Sequence, residues 1–590
     1  MSIAPERVLT LGPHHDGSEL YVAELPDELG GEATVRLRAP RGAADRVLLR
    51  YVRDGEPRTV EALLDSDGDD GTWWRATFPV LNPATRYRWL LAGGETGYGW
   101  LTGNGVAPHE VPSADDFVLS LGSGPDWHRS SVVYQIFPDR FASSGVQRTP
   151  PDWAIPRDWS ELPTGRGPAT PKEWYGGDLL GIEQHLDHVA SLGANVVYLT
   201  PIFPAGSNHR YDATSFDRID PLLGGDEALA SLTKAAAARG VKVVGDLTLN
   251  HTGRGHEWFT AGRNHAHAPE HGFYYFDPAL PNGYESWLGV PSLPKLDWRN
   301  DELRGRMHGV VRHWLDAGLA GWRIDVANMT GRFRAIELNH EVARWARDAV
   351  GDALVVAEHG HDFRPDLDGT GWHGTMNYAG FLKPTWWWLR DASVETDVFS
   401  SAPAPRYGGQ ELVNVMRRYR TGVPWETVAH SWTLLDSHDT ARFSTIVGRS
   451  RELHAVGVGL MATSPGVPMI FAGDEIGLEG AWGEDARRTM PWDDPTAWDA
   501  SLLETYRSLV RLRRSSDALA RGGIRYLHVS DDAVVYLRES RAERLLCLAA
   551  RADHEPISTP FTQLETLYGE DARDGVLPTD GPAFHVWRIS

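Results

Sequence analysis

Residues 300–326 of the chain, NDELRGRMHGVVRHWLDAGLAGWRIDV, decide the fold because they join one amphipathic helix to one buried strand. Asn300 or Asp301 can cap the start of the helix, and Gly318 is placed to end it. The strand that follows, Gly321–Val326, is apolar apart from two charged residues. A buried strand that comes directly after an amphipathic helix is typical of a parallel sheet with helices on its outer face.

The same alternation of helix and strand occurs about eight times in the middle of the chain, and eight such units predict a (β/α)8 barrel. The period breaks once, at about 248–300, in a segment rich in Gly, His, Pro and aromatic residues. A segment this long is interpreted as an excursion domain over the barrel mouth. The other predicted barrel strands are Val132–Phe137, Asn195–Ile202, Val241–Leu247, Ala353–Glu358, Thr375–Tyr378, Trp432–Leu435 and Pro468–Ala472.

The two ends of the chain show short alternating strands and turns instead of a helical period. Residues 1–121 are predicted to form an N-terminal β-sandwich, and the barrel is predicted over 122–515. Residues 516–590 contain further alternating runs and predict a C-terminal antiparallel β domain. The fold class is therefore α/β, a TIM barrel between two β domains.

Composition excludes several classes of protein. The formal net charge is −22, from 58 basic and 80 acidic residues. A surface this acidic repels phosphate backbones and anionic lipids, so we expect no nucleic acid partner and no membrane partner. The single cysteine, Cys547, excludes an internal disulfide and a multi-cysteine metal site. No secretory signal or long apolar run is readable, and a cytoplasmic location is expected.

Acidic residues stand at the C-terminal ends of four predicted barrel strands, where such barrels hold their reactive groups. Asp246, Asp325 and Glu358 close three strands, and Asp439 follows a fourth. Any one of them could cap the next helix, but four on separate strands are hard to explain in that way. Arg323 lies two residues before Asp325 on the same strand face, where it favours the ionised carboxylate.

Convergent carboxylates without the Cys and His spacing of a metal site suit glycosyl transfer. One carboxylate attacks the anomeric carbon while a protonated one serves the leaving oxygen. His251 and His438 can donate hydrogen bonds to sugar hydroxyls. The sequence contains no phosphate-binding loop, no dinucleotide fingerprint in context and no serine nucleophile elbow.

Seven blocks of sequence carry a resemblance to a known family. They are YQIFPDRF (134–141), GANVVYLTP (193–201), DLTLNH (246–251), GWRIDVAN (321–328), AE (357–358), SHD (437–439) and GVPMIFAGDE (466–475). In this order they resemble the signature regions of the α-amylase family, glycoside hydrolase family 13. Chance agreement of seven ordered blocks is negligible.

The resemblance implies a role for each matching residue. Asp325 corresponds to the nucleophile of the family, Glu358 to its general acid/base, and Asp439 to the third carboxylate, which holds ring hydroxyls in the transition state. Asp246 is implied to support the site rather than to react. The residues implied to contact the sugar at the bond being cut are Tyr211, His251, Arg323, His438 and Arg487.

The N-terminal sandwich and the segment Leu293–Asp297 are similar to the cyclomaltodextrinase, neopullulanase and maltogenic amylase group. This implies a retaining α-glucan hydrolase that cleaves α-1,4 bonds, with α-1,6 bonds as an option, in cyclic or short linear maltooligosaccharides. Met329 and Gly360 depart from that group on the acceptor side. An exo-acting maltodextrin glucosidase, a hydrolase of mixed-linkage cyclic saccharides and a transglycosylase or isomerase therefore stay open. The complete set of site residues disfavours a non-catalytic carbohydrate-binding relative.

Metal binding and assembly are also judged from this resemblance. Relatives often bind calcium in the loop after the first barrel strand, but Ala142–Pro150 offers no carboxylate, and only Gly176 and Asp178 keep a trace of that site. We expect no cofactor and no essential metal ion. The N-terminal domain often pairs two subunits in this group, so a homodimer through that domain is expected.

Overall fold

The computed structural model describes residues 7–9, 11–68, 71–397 and 402–590. Eight parallel strands close into the predicted barrel, and the antiparallel sheets before and after it complete the predicted fold class. All residues of the eight strands are buried except Lys242 and Glu358, which stand at strand ends. The strands are β1 (Val133–Ile136), β2 (Val196–Leu199), β3 (Lys242–Thr248), β4 (Gly321–Asp325), β5 (Leu354–Glu358), β6 (Gly374–Met376), β7 (Trp432–Leu434) and β8 (Val467–Phe471).

Helices cover the outside of the barrel. The helix predicted after Asn300 runs over Asp301–Asp316, and the Asn300 side chain accepts a hydrogen bond from the backbone N–H of Leu303 at 3.0 Å. Residues 179–192 contain two short helices that meet at His185, where φ is −109° and ψ is 12°. Outside the excursion, the α-helices described between β1 and the C-terminal sheet are Pro138–Phe141, Leu179–Gln184, Leu186–Ser191, Gly225–Ala238, Asp301–Asp316, Asn339–Val350, Lys383–Leu389, Gly409–Arg420, Trp425–His430, Phe443–Ile446, Arg451–Thr463, Gly483–Ala486, Ala500–Ser515 and Asp517–Arg521.

Two antiparallel sheets precede the barrel and pack face to face. Val35 and Phe78 of one sheet share a buried core with Leu49 and Trp89 of the other, as in a β-sandwich. The first sheet contains Val22–Glu24, Glu32–Ala39, Gly71–Pro79 and Leu63–Gly68, and the second contains Gly105–Ala107, Gly97–Thr102, Ala84–Gly93, Arg46–Arg53, Glu56–Glu61 and Phe117–Ser120.

A five-stranded antiparallel sheet follows the barrel. The beginning of the chain returns to this region, because Arg7–Val8 pairs in parallel with Ile557–Ser558 and Leu9 belongs to its apolar core. The domain boundaries at 121 and 515 stay predictions. In spatial order the strands are Gly523–Val529, Ala533–Glu539, Arg544–Ala550, Ala583–Ile589 and Leu564–Tyr568.

The long segment between β3 and the helix Asp301–Asp316 begins at the C-terminal end of β3 and folds back to it. It contains the helix Glu257–Asn264 and a short β-bridge between His251 and Lys295. The indole N–H of Trp298 donates to the carbonyl oxygen of Leu249 at 2.7 Å, which holds the end of the segment against its beginning. The excursion is thereby closed on itself next to the end of β3.

Within the described ranges, no helix combines the length and the apolar character that a membrane crossing requires.

We expect Asn300→Ala to lower the free energy of unfolding by about 1 kcal/mol, because the substitution removes an N-cap acceptor. It also removes the bond from Asn300 Nδ2 to the carbonyl oxygen of Gly272, 3.1 Å long, which ties the helix to the excursion. Thermal unfolding followed by circular dichroism measures the effect. Asn414→Ala is the control, since Asn414 is exposed and its amide contacts only Gln410 in the described structure. Equal melting temperatures for Asn300→Ala and the wild type would contradict the prediction.

Candidate active site

The guanidinium of Arg323, fully buried on β4, lies at the centre of the candidate site. Its Nη1 donates to Asp246 Oδ2 at 2.9 Å and to Asp325 Oδ1 at 3.0 Å. Its Nη2 lies 3.1 Å from Glu358 Oε2. Because β3, β4 and β5 are neighbours in the barrel, one cation bridges carboxylates from three adjacent strands.

A second group of polar side chains adjoins the first through Tyr211. The Tyr211 hydroxyl donates to Asp246 Oδ2 at 3.0 Å and lies 2.8 Å from His438 Nε2. His438 Nε2 in turn lies 3.1 Å from Asp439 Oδ2. Arg487 Nη2 donates to the other oxygen of Asp439 at 3.0 Å. The third predicted carboxylate is thus held between an imidazole and a guanidinium.

His251 completes the group. Its Nε2 lies 3.9 Å from Asp325 Oδ2, too far for a hydrogen bond, and this nitrogen is buried without a hydrogen-bond partner among the residues that the structure describes. A buried ring nitrogen without a partner can bind an incoming hydroxyl at little reorganisation cost. The structure therefore brings all the sequence-predicted site residues together at the C-terminal end of the barrel strands.

Burial dominates the titration of the carboxylates. It raises the pKa of Asp325 well above the usual range, the charge of Glu358 adds to this, and Arg323 opposes both. Burial likewise raises the pKa of Asp246 to about 6. We expected Arg323 to keep Asp325 ionised, but burial and the neighbouring carboxylates act against the ionised form. The single positive charge of Arg323 does not balance three negative charges, so binding of a proton by one of the carboxylates is favoured.

Asp439 behaves differently because it has polar partners of its own. Burial would raise the pKa of Asp439, but His438, Arg487 and Arg323 together hold it below the usual value. Burial lowers the pKa of His251 and that of His438 to about 3, so both imidazoles are neutral near pH 7. The site thus presents an ionised Asp439 beside neutral hydrogen-bonding rings.

The backbone after β4 is strained at Val326. This residue has φ 41° and ψ 44°, the left-handed region that a β-branched residue rarely adopts. In this conformation its N–H donates to Glu358 Oε2 at 2.7 Å. The residue that directly follows Asp325 therefore helps to fix the carboxylate on the next strand, and the strained conformation allows this hydrogen bond.

Sequence reasoning missed several residues that hold this site. The hydroxyl of Tyr198 donates to Asp246 at 2.6 Å, and Gln135 hydrogen-bonds both the ring and the backbone N–H of His438. Lys295, almost fully buried, donates to Asn250 and to the carbonyl oxygen of Met329. These residues lie inside or beside the sequence blocks quoted above, and their polar character within apolar surroundings was the available signal.

The trace of a calcium site has a different partner in this chain. Asp178 Oδ2 accepts from the Ser144 hydroxyl at 2.6 Å and forms an ion pair with Arg148. A guanidinium in this place does not fit a cation site, which needs several oxygen ligands. Within the described ranges, no three or more His, Cys, Asp or Glu side chains are grouped to hold a metal ion.

Comparison with known proteins agrees with this geometry. Residues 135–499 match the family model described as alpha amylase, catalytic domain. The chain belongs to the α-amylase family. It is a glycoside hydrolase of that family, and the resemblance predicted from the seven sequence blocks is confirmed.

Several relatives within the family are similar over most of their length. Neopullulanase 2 of Thermoactinomyces vulgaris is 31% identical over 85% of this chain and 84% of its own. A cyclomaltodextrinase of Geobacillus thermopakistaniensis is 30% identical over 92% of this chain and 91% of its own. Among solved structures, the cyclic alpha-maltosyl-(1→6)-maltose hydrolase from Arthrobacter globiformis is 31% identical, with a TM-score of 0.65 over 74% of this chain and 94% of that one.

Replacing Asp246 by Asn should change how stability depends on pH. Because the pKa of Asp246 is raised to about 6, the folded protein binds a proton that an unfolded aspartate has already lost above pH ~4. This contribution to the free energy of unfolding therefore falls as pH rises from about 4 to about 6. The melting temperature of the wild type relative to Asp246→Asn should fall across that window and level off above it.

Asp316→Asn is the control for this measurement, because Asp316 is exposed on the outer face of a barrel helix. Its melting temperature should follow that of the wild type at every pH. If the melting temperature of the wild type, relative to that of Asp246→Asn, rose between pH 4 and 6, the assignment of a raised pKa to Asp246 would be contradicted.

Proposed function

We propose that this glycoside hydrolase is a retaining α-glucan hydrolase with Asp325 as nucleophile and Glu358 as general acid/base. The observation that carries the proposal is the contact of both carboxylates with one guanidinium, that of Arg323. Glu358 also accepts a hydrogen bond from Val326, the residue next to Asp325. Such closeness favours direct attack by a carboxylate, since an inverting site must leave room for a water molecule.

The proposed reaction has two steps. An oxygen of Asp325 bonds to the anomeric carbon while Glu358 gives its proton to the glycosidic oxygen, and the bond between carbon and leaving oxygen breaks. Water then attacks the anomeric carbon, Glu358 takes its proton, and the bond to Asp325 breaks. The anomeric configuration is inverted twice and is therefore retained.

The carboxylate pair suits this sequence of proton transfers. Burial and the charge of Glu358 raise the pKa of Asp325, so a proton is retained at the carboxylates around Arg323. The first step needs one ionised and one protonated carboxyl group, and a proton retained beside Asp325 is available to the pair. Arg323 compensates the remaining negative charge.

The other site residues are proposed to hold the sugar ring at the reacting bond. Ionised Asp439 accepts hydrogen bonds from ring hydroxyls, and Arg487 keeps it in place. The neutral rings of His251 and His438 donate to hydroxyls, and the ring of Tyr211 offers a flat face for stacking. Interactions that strengthen as the ring flattens lower the barrier of both steps.

Cyclic and short linear α-1,4-linked maltooligosaccharides are the proposed substrates, with α-1,6 bonds as an option. The names of the neopullulanase, cyclomaltodextrinase and cyclic maltosyl-maltose hydrolase relatives support this class.

On the acceptor side, Asn328 Nδ2 lies 3.2 Å from His361 Nε2, so polar groups stand beside Met329. Exo-acting hydrolysis and transfer to a sugar acceptor use the same carboxylates and remain alternatives. A cytoplasmic location and a homodimer through the N-terminal sandwich stay predictions.

Asp325→Asn should reduce kcat/KM for α-glucosides by about 10³-fold or more, because the amide cannot form the covalent intermediate. Circular dichroism and the melting temperature should show that the variant is folded. Asp187→Asn, at an exposed carboxylate on a barrel helix, is the control and should keep wild-type activity. Full activity of folded Asp325→Asn would overturn the proposed nucleophile.

The substrate class is tested by initial rates on γ-cyclodextrin and on linear maltooctaose at equal concentration. We expect the ring to be opened faster, with maltose and glucose as later products. A strong preference for the linear chain, with glucose released stepwise, would instead indicate an exo-acting α-glucosidase. Products longer than the starting sugar at early times would indicate transfer.

A further inference from the structure

The positions of the carboxylates give the substrate cleft a direction, provided that the proposed function is correct. Glu358 must stand at the leaving oxygen, so the acceptor sugars lie on the side of β4 and β5. The donor sugars beyond the reacting ring then lie on the opposite side, past Asp439 and Arg487. That side is bordered by the β8 loop (residues 472–490) and by the β1 loop (residues 142–178).

Hydrogen bonds join these two loops across the donor side. The indole N–H of Trp482 donates to the carbonyl oxygen of Gly165 at 2.5 Å. The indole N–H of Trp159 donates to the carbonyl oxygen of Met490 at 2.8 Å. The Thr489 hydroxyl donates to the carbonyl oxygen of Trp159 at 2.5 Å. These three hydrogen bonds join the β1 loop to the β8 loop at two separate places, so the two loops form one connected surface.

The outermost contact is a cation–π pair. The guanidinium carbon of Arg166 lies 4.0 Å from the centroid of a Trp482 ring, and Arg166 itself is exposed. Exposed indole faces in such clefts are suited to stacking on sugar rings. Here Arg166 covers a face of Trp482, so that face is occupied by the protein's own side chain.

The pair stands close to the reacting groups. A Cβ added to Gly483 would lie 2.8 Å from the carbonyl oxygen of Asp439, so the β8 loop touches the backbone of the third carboxylate there. Trp482 is the adjacent residue, and Arg487 of the same loop binds the Asp439 side chain. Because consecutive Cα atoms lie about 3.8 Å apart, the Trp482 backbone is only a few ångströms from this contact with Asp439.

Each loop is also braced from within. Glu173 accepts hydrogen bonds from the backbone N–H of Thr164 and from Arg157, which fixes the tip of the β1 loop. Asp485 accepts from the backbone N–H of Ala481 at 2.7 Å and from Arg488 at 3.2 Å. Loops tied at several points resist displacement by a ligand, so a sugar chain cannot readily push them apart.

We propose that Trp482 and Arg166 form a wall that ends the donor side of the cleft and sets the length of the released segment. Substrates are then α-glucans that place about one or two glucose units on the donor side of the cut, and glucose and maltose are the units released. Trp482 and Arg166 are specificity-determining residues that take no part in the chemistry.

The test uses maltoheptaose with a fluorophore at its reducing end, cleaved by the full-length enzyme to a small extent. The length of the labelled fragment reports how many glucose units lay on the donor side. The wild type should release mainly one or two units. Trp482→Ala should raise the share of longer released segments about threefold or more. This is the effect expected when the opened cleft binds one more sugar ring on the donor side. Arg166→Ala, which leaves the loop contacts intact, should shift the share in the same direction by less.

Trp127 and Lys242 supply matched controls. Lys242 Nζ lies 4.9 Å from the Trp127 ring centroid at the opposite end of the barrel, where β3 begins. Trp127→Ala and Lys242→Ala remove a similar pair and should leave the product lengths unchanged. p-Nitrophenyl α-glucoside, which has a single donor ring, should be cleaved by Arg166→Ala with wild-type kcat/KM.

The outcomes separate the wall from the proposed function. Release of long segments by the wild type would contradict the proposed wall. Unchanged product lengths in Trp482→Ala and Arg166→Ala variants that still cleave maltoheptaose would contradict it as well. Equal shifts in the Trp127→Ala control would also overturn it, because they would show a general effect of lost stability. A wild type that cleaves no α-glucoside would instead refute the proposed function on which the wall rests.

Discussion

The site depends on one buried cation shared among three carboxylates. Arg323 is fully buried, and a buried guanidinium without partners would be strongly destabilising, as would the isolated carboxylates of Asp246 and Asp325. Each charge is tolerated because the others are present. The register of the barrel places Asp246 directly opposite Arg323, and a slip of one residue between β3 and β4 would turn these side chains to opposite faces. Barrel closure and charge compensation therefore require each other.

Incomplete compensation gives the site its chemistry. Three carboxylates face a single guanidinium, and burial raises the pKa of Asp325 and of Asp246, so a proton is retained among these groups. Asp439 has separate partners in His438 and Arg487 and stays ionised. The strained backbone of Val326 aims one more donor at Glu358. The local structure thus shifts the pKa values of chemically similar carboxyl groups in opposite directions.

Much of the fold and the site was readable from the sequence, because the relevant signals are local. Apolar runs predicted the strands β3, β4 and β5, and Asn300 predicted the start of the helix that follows it. Acidic residues at strand ends predicted the site. Each signal lies within a few residues of the feature that it predicted. The break of the helix at His185 and the left-handed Val326 were not readable, since packing from distant parts of the chain overrides local preference at both places.

The sequence by itself determined the family, the alternation of strand and helix, and the identity of the residues that meet at the barrel mouth, because these follow from periodicity and from ordered blocks. Only the tertiary structure decided in which direction burial shifts the pKa of Asp325 and which loops contact one another beside the site. Burial and Coulomb interactions depend on distances in space, as between Trp482 and Gly165, which touch although 317 positions separate them. No local pattern encodes such a distance.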